Sequence, residues 1–111
     1  MRRFSLVTFM LLACRGNSDR YPDFSGMWDT PFGYMQIVQE RDRVKGKYRS
    51  ELGSLDGRIK GDTLYFVWND PDGSGDGFFV LSADGKAIDG AYRRQGEADW
   101  EGGWWGVKLS R

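Results

Sequence analysis

From Phe24 onward, apolar and polar residues alternate with a period of two, and turn residues interrupt the pattern at short intervals. This alternation is typical of β-strands that bury one face. The region nowhere shows the apolar period of an amphipathic helix. We therefore predict an all-β domain of eight strands, at about residues 24–30, 33–39, 43–50, 54–60, 63–69, 76–82, 87–94 and 102–109.

An internal repeat supports this prediction, because residues 33–49 align with residues 77–93 without a gap. Each copy predicts one hairpin with an apolar-x-Gly-x-aromatic segment, Val44–Tyr48 in the first and Ile88–Tyr92 in the second. Glycine weakens a strand, and its recurrence is explained by the strand bending that small barrels require. The tight connections favour an antiparallel up-and-down β-barrel over a Greek key, although a two-layer sandwich would alternate similarly.

The alternation also assigns side chains to the two faces of the sheet. The predicted inward positions hold large apolar side chains: Trp28, Met35, Ile37, Val44, Tyr48, Ile59, Leu64, Phe66, Trp68, Phe79, Leu81, Ile88, Tyr92, Trp105 and Val107. The Trp and Tyr members offer apolar area with a hydrogen-bonding tip, so candidate walls of a ligand pocket are Trp28, Tyr48, Trp68, Tyr92 and Trp105. The alternative is that these side chains fill the barrel, because eight strands leave room for either arrangement.

Several apolar residues fall on the predicted outer face, namely Tyr34, Val38, Tyr65, Val67, Phe78, Val80 and Trp104. A contiguous exposed apolar patch marks an interface. The strands at 63–69 and 76–82 are expected to be neighbours, which would place four of these residues together. Three explanations stay open: a contact between copies in a homo-oligomer, a protein partner, or an error in the face assignment.

The chain lacks histidine, and Cys14 is its only cysteine. This inventory excludes a disulfide, zinc sites built on His and Cys, and Ser-His-Asp triads. Charges alternate in sign and the formal net charge is zero, so no basic face for nucleic acid is expected. Glu97, Asp99 and Glu101 could serve glycoside hydrolysis, but solvated carboxylates beside arginines are the favoured interpretation. We expect a protein that is not an enzyme and has no cofactor.

One acidic segment resembles the first half of an EF-hand-like calcium loop. Its candidate oxygen ligands are Asp70, Asp72, Ser74 and Asp76. The position of the bidentate glutamate holds Leu81, and the flanks are predicted strands. A polar hairpin loop is therefore the favoured interpretation, and a calcium site is the alternative.

The first fourteen residues have the features of a secretory signal peptide: two arginines, a short apolar run, and a small residue before Cys14. The run is shorter than the about 20 apolar residues that a membrane-spanning helix needs. Leu-Leu-Ala-Cys resembles the lipobox of bacterial lipoproteins, in which the cysteine is lipidated. The resemblance implies a signal peptide over residues 1–13, a lipidated Cys14 with a flexible tether over 14–23, and a β-barrel domain over 24–111. It also implies attachment to a membrane of the bacterial cell envelope, and Arg15 resembles the sorting residue of outer-membrane lipoproteins.

A second resemblance concerns the barrel. Gly26-x-Trp28, the following Gly33 and the segment Val44-x-Gly46-x-Tyr48 are similar to the opening hairpins of the avidin and streptavidin family. Gly-x-Trp near the first strand is shared with lipocalins and other calycin barrels. The resemblance covers roughly residues 24–70 and implies an eight-stranded antiparallel barrel with a pocket at one mouth.

In biotin binders, polar ligand contacts fall at positions held here by Thr30, Tyr34 and Tyr48, of which only Tyr48 keeps the residue type. Bacterial protease inhibitors with an avidin-like barrel share the architecture. The expected function is a lipid-anchored, non-enzymatic envelope barrel that binds a small apolar molecule or a protein partner. Two alternatives remain: an inhibitor of an envelope protease or other hydrolase, and a purely structural lipoprotein.

Overall fold

The structure, a computed structural model, describes residues 21–110 and shows one closed antiparallel barrel. Each strand pairs with its neighbours in sequence, and the first pairs with the last. The strands are β1 (Gly26–Thr30), β2 (Gly33–Glu40), β3 (Arg43–Tyr48), β4 (Gly53–Lys60), β5 (Thr63–Asp70), β6 (Gly73–Leu81), β7 (Ala87–Arg94) and β8 (Gly102–Ser110). The predicted up-and-down barrel is confirmed, and the sandwich alternative is wrong. Between residues 21 and 110, no helix is long and apolar enough to cross a membrane.

The two copies of the repeat form the hairpins β2–β3 and β6–β7. Met35 pairs with Tyr48, whereas Phe79, which aligns with Met35, pairs with Gly90. The register thus differs by two residues between the copies. The cause is the connection, because a short turn joins β2 to β3 whereas the longer segment 82–86 joins β6 to β7.

The predicted loop Asp70–Asp76 is shorter in the structure. β5 ends at Asp70 and β6 begins at Gly73, so only Pro71 and Asp72 lie between the strands. Asp70 Oδ1 accepts a hydrogen bond from the Asp72 backbone N–H at 2.8 Å. An Asp side chain that binds the backbone two residues later closes a tight turn. The prediction that the strand begins near residue 76 is therefore wrong.

The core follows the predicted alternation along β1 to β7. Its buried apolar residues are Phe24, Trp28, Met35, Ile37, Val44, Tyr48, Leu55, Ile59, Leu64, Phe66, Trp68, Phe79, Ile88 and Trp104. Tyr34, Val38, Tyr65, Val67 and Val80 are exposed, as the outward assignment predicted. Tyr65 lies opposite Phe78 on neighbouring strands, which confirms that β5 and β6 are adjacent.

The face assignment of β8 is wrong. Trp104 is 2% exposed, whereas Trp105 is 53% and Val107 58% exposed. Opposed residues of an antiparallel pair lie on the same face of the sheet. Trp104 is opposite Gly90 and Trp105 is opposite Asp89, so the register with β7 turns Trp104 inward and Trp105 outward.

The segment before β1 closes one end of the barrel. Phe24 is fully buried, its N–H donates to Gln39 Oε1 at 2.8 Å, and its carbonyl accepts from Trp28 Nε1 at 2.9 Å. Gln39 Nε2 also donates to the Pro22 carbonyl at 2.9 Å, and Tyr21 packs against the core. Packed structure therefore begins within the segment predicted as a tether. The rest of that segment, Cys14 and the predicted signal peptide lie outside the described residues.

Candidate functional site

The other end of the barrel is open. Successive connections of an up-and-down barrel alternate between its ends, so the connections β1–β2, β3–β4, β5–β6 and β7–β8 meet at this end. Here lies a cavity of about 380 Å³, which we call the mouth cavity. It is lined by the aromatic residues Phe32, Tyr48, Trp68, Tyr92 and Trp104, by Pro31, and by the charged residues Arg49, Asp70, Asp72 and Arg94. Small-molecule sites typically enclose about 300–1,000 Å³.

Three of the predicted pocket residues, Tyr48, Trp68 and Tyr92, lie on the wall of the mouth cavity. Trp28 is in the core at the closed end, bonded to the Phe24 carbonyl. Trp105 faces outward on β8, and its predicted place in the cavity is wrong. Both alternatives for the interior therefore hold in part, because the barrel is filled at its closed end and hollow at its open end.

Trp104 is the central residue of the cavity wall. Its ring makes edge contacts with Phe32 and Tyr48, both at centroid distances of 5.1 Å, and with Tyr92 at 6.1 Å. Its buried indole N–H has no hydrogen-bond acceptor within residues 21–110. An unsatisfied buried donor costs about 1–3 kcal/mol. The N–H has almost no accessible surface, so it is not presented to a molecule in the cavity.

The side chain of Tyr48 is held in place by Asp70, the last residue of β5. Its hydroxyl donates to Asp70 Oδ2 at 2.8 Å. Burial raises the pKa of Tyr48, and the hydrogen bond to Asp70 raises it further. Asp70 also accepts the Asp72 N–H and lies 3.4 Å from Arg49 Nη1, so its two oxygens are both occupied. The Tyr48 ring is therefore held in the wall as a neutral phenol.

Two guanidinium groups lie at the rim of the cavity. Arg49 Nη1 is 2.8 Å from Asp72 Oδ2, and this hydrogen bond raises the pKa of Arg49. Arg94 Nη1 donates to the Asp72 carbonyl at 2.9 Å, and its Nε lies 3.3 Å from Glu101 Oε1. The Arg94 guanidinium also lies over the Trp68 ring, 5.8 Å from the centroid. Exposed ion pairs of this kind contribute at most about 1 kcal/mol.

The β3–β4 connection, which carries Arg49, has an unusual backbone. Arg49, Ser50 and Glu51 all have left-handed φ angles, of 52°, 54° and 71°. For residues other than glycine this conformation costs roughly 1–2 kcal/mol each. The Leu52 N–H donates to the Arg49 carbonyl at 3.0 Å and closes the turn. Strained backbone of this kind clusters at ligand-binding sites.

The four calcium candidates take different partners. Asp70 binds Tyr48, Asp72 binds Arg49, and Ser74 Oγ lies 3.4 Å from Gln95 Oε1. Asp76 Oδ1 accepts from Arg93 Nε at 3.0 Å. In the part of the chain that the structure describes, no group of three or more His, Cys, Asp or Glu side chains could hold a metal ion.

The acidic residues of the β7–β8 connection are separated as well. Glu101 pairs with Arg94, and Glu97 and Asp99 are exposed. Arg93 forms an ion pair with Asp76 and also donates to the Ala98 carbonyl at 3.0 Å. These contacts hold the connection against the outside of the barrel.

Only one of the three positions that the avidin-family resemblance associates with a ligand, Tyr48, lies in the cavity wall. Tyr34 is 65% exposed on the outer face of β2. Thr30 is buried, its hydroxyl donates to the Gly33 carbonyl at 2.7 Å, and it accepts the Phe32 N–H at 3.1 Å. Thr30 therefore braces the turn that places Phe32 at the cavity.

Sequence reasoning missed Phe32, Trp104, Arg49 and Arg94 as cavity residues. The signal that could have found three of them is the alternation of connections between the two ends of the barrel. Residues at the ends of β1, β3, β5 and β7 meet at one end, and this grouping brings Phe32, Arg49 and Arg94 together. Comparison of the chain with protein-family models, with curated proteins and with solved structures finds no match.

Proposed function

We propose that this protein is a non-enzymatic binding protein whose mouth cavity takes a small organic molecule. The observation that carries the proposal is a preformed cavity of about 380 Å³ with aromatic walls. Aromatic side chains bury a large area, and their tips orient a ligand by hydrogen bonding.

Contacts within the protein hold the wall residues in place, which favours binding. Edge contacts join the Trp104 ring to its neighbours, and Trp68 Nε1 donates to the Arg93 carbonyl at 3.2 Å. Binding to a rigid site loses less conformational entropy than binding to a mobile one. The first hairpins resemble those of avidin-like and calycin barrels, and this resemblance implies a ligand pocket at one mouth of the barrel.

Fluorescence titration with phenylnaphthylamine, an uncharged apolar probe, tests the proposal. We expect saturable binding that Trp68→Ala weakens at least about tenfold, because one lost aromatic wall is worth roughly 1.4 kcal/mol or more. Trp105→Ala is the matched control, since Trp105 lies outside the barrel. An absence of saturable binding, or equal losses in the two variants, would contradict a site in the mouth cavity.

We further propose that the protein is anchored to the bacterial cell envelope through a lipid on Cys14, on the outer membrane where the host has one. The support is the lipobox-like sequence around Cys14. The described chain enters the barrel at its closed end, so an anchor before it would leave the mouth cavity facing away from the membrane. Cys14→Ser should release the protein from sedimented membranes. Continued sedimentation of the variant with the membrane fraction would refute lipidation at this residue.

A protein partner is the second candidate, either as the target of an inhibitor or as another copy of the chain. Trp105, Val107 and Leu109 favour it, because all three are more than half exposed on the outer face of β8. Exposed apolar residues that lie together mark interaction surfaces. Cross-linking in native membranes should then capture a complex that Trp105→Ala weakens and Trp68→Ala does not. A structural lipoprotein would show neither this complex nor probe binding.

A further inference from the structure

We propose that the ligand of the mouth cavity is a flat organic anion. Its apolar body lies between Trp68, Tyr92 and Trp104, and its acidic group binds the guanidinium groups of Arg49 and Arg94. This inference rests on the proposed function, because it specifies the ligand of the same cavity.

The hydrogen-bonding groups around the cavity indicate which ligand atoms fit there. The carboxylate of Asp70 already accepts from Tyr48 and from the Asp72 N–H, and it also faces Arg49. The two rim arginines keep donors available, because a guanidinium has five N–H bonds and the described contacts of each arginine use only some of them. A complementary ligand therefore presents acceptors.

The ion pair between Arg49 and Asp72 is weak. The carboxylate of Asp72 is 67% exposed and that of Asp70 only 9%, so the two partners of Arg49 differ in how firmly they are held. An exposed pair contributes little to stability and is screened by salt. An acidic group arriving from the cavity can replace Asp72 on Arg49 while Asp70 keeps the guanidinium at the rim. The exchange forms a charge-assisted hydrogen bond in a less exposed place.

A cationic ligand fits the cavity less well than an anion. A cationic ligand would favour the aromatic faces of the cavity, but the guanidinium of Arg94 already lies over the Trp68 ring. Arg49 is at the same rim. Of the nearby carboxylates, Asp70 is bound to Tyr48 and Glu101 to Arg94. At the rim a cation would meet two guanidinium groups, and the carboxylates there already pair with them.

The backbone that carries Arg49 agrees with a ligand role. Arg49, Ser50 and Glu51 keep three consecutive left-handed conformations at the cavity rim. Neither Gly nor Asn, the residues that adopt this conformation most easily, occurs at these positions. The strain is retained where it places the Arg49 guanidinium at the rim, next to Asp70 and Asp72.

The test compares two probes that share one ring system. Anilinonaphthalene sulfonate carries a sulfonate, and phenylnaphthylamine is the same ring system without it. We expect the purified protein to bind the anion about tenfold more tightly, because the sulfonate gains a charge-assisted hydrogen bond to a rim arginine. Arg49→Gln and Arg94→Gln should each weaken binding of the anion by about five- to tenfold. Each should change the affinity for phenylnaphthylamine by less than about twofold. Arg41→Gln, in the turn at the closed end, is the matched control and should change neither probe.

The outcomes separate this inference from the proposed function. One outcome is that phenylnaphthylamine binds to the wild type and not to Trp68→Ala, while the sulfonate does not increase the affinity and the arginine variants do not change it. In that case the anion inference is overturned and the cavity remains a binding site. If the sulfonate probe binds equally well to Trp68→Ala, it binds outside the cavity and the inference is also overturned. If neither probe saturates, the proposed function fails. Unfolding midpoints of the arginine variants should match the wild type, which excludes loss of fold as the cause.

Discussion

A single indole ring, that of Trp104, joins the barrel core to the mouth cavity. It contacts Phe66 and Phe79 on the core side, at centroid distances of 5.5 Å and 5.4 Å, and Phe32 and Tyr48 at the cavity. Its neighbour Trp105 has the same side chain but faces outward. The pair therefore offers a controlled comparison of one residue type on the two faces of one strand.

Trp104→Ala should lower the free energy of unfolding by about 3–5 kcal/mol, because a buried aromatic ring is lost and a cavity remains. Trp105→Ala should lower it by less than about 1 kcal/mol, since half of that side chain is already in solvent. Urea unfolding followed by circular dichroism measures both values. Equal losses, or a larger loss in Trp105→Ala, would contradict the inward position of Trp104.

Tyr48→Phe should cost about 1 kcal/mol at neutral pH, because the hydrogen bond to Asp70 is removed. Burial raises the pKa of Tyr48 in the folded state above the value of about 10 that it has in the unfolded chain. As pH rises past about 10 the unfolded state loses this proton first, so the contribution is complete below that pH and is lost as pH rises through the folded pKa.

The advantage of wild type over Tyr48→Phe should therefore shrink above about pH 10, by up to roughly 1.4 kcal/mol per pH unit. Urea unfolding of both proteins at neutral and at alkaline pH measures the difference. The other tyrosines and lysines are common to both proteins and cancel in the comparison. A difference that stays constant across this pH range would show that Tyr48 titrates normally.

At the scale of the strands, close backbone approach explains a glycine of the repeated segment. Gly90 faces inward on β7, opposite Trp104. A Cβ atom added there would lie 1.8 Å from the Phe78 carbonyl oxygen, so no side chain fits without movement of the backbone. The close approach of β7 to β6 therefore requires glycine at this position.

Gly90→Ala should destabilise the barrel by about 1–3 kcal/mol, as overpacking of a tight site does. For a domain of this size that loss lowers the melting temperature by roughly 4–8 °C per kcal/mol. Gly103→Ala is the control on the neighbouring strand, because an added Cβ meets nothing closer than 3.6 Å. It should change stability by no more than about 0.5 kcal/mol. Thermal unfolding of the two variants with equal midpoints would contradict this account of β7.

The alternation predicted the order of the strands and the faces of β1 to β7, because each of those strands has a clear apolar side. β8 has none: Gly102, Gly103 and Gly106 carry no polarity signal, and Trp104 and Trp105 are adjacent. Its faces depend on the register with β7, which is a pairing between distant parts of the chain. Local sequence patterns do not contain that information.

Only part of the candidate site could be predicted from the sequence. Tyr48, Trp68 and Tyr92 are inward residues near the strand ends of one barrel end, and the alternation identified them. Arg49 and Arg94 are polar residues at the ends of strands and look like ordinary surface charges in the sequence. Their place at the cavity follows from barrel closure and from the partners Asp70 and Asp72.

At the scale of the whole molecule, the barrel has two different ends. Phe24 and Trp28 fill the end at which the described chain enters, and the opposite end holds the mouth cavity. Large inward side chains along the full length of every strand would fill the interior. The cavity therefore depends on which residues lie at the strand ends around the mouth. This asymmetry is the structural basis for a binding protein that is held at one end and open at the other.

Native mass spectrometry after incubation with an extract of the host cells tests the central claim, that the mouth cavity binds a small molecule, most directly. The wild type and Trp105→Ala should carry one discrete adduct of small mass, and Trp68→Ala should not, because Trp68 lines the cavity and Trp105 faces outward. Negative-ion analysis of the released adduct should show an acidic compound. An unmodified mass for every protein, or an adduct retained by Trp68→Ala, would contradict the claim.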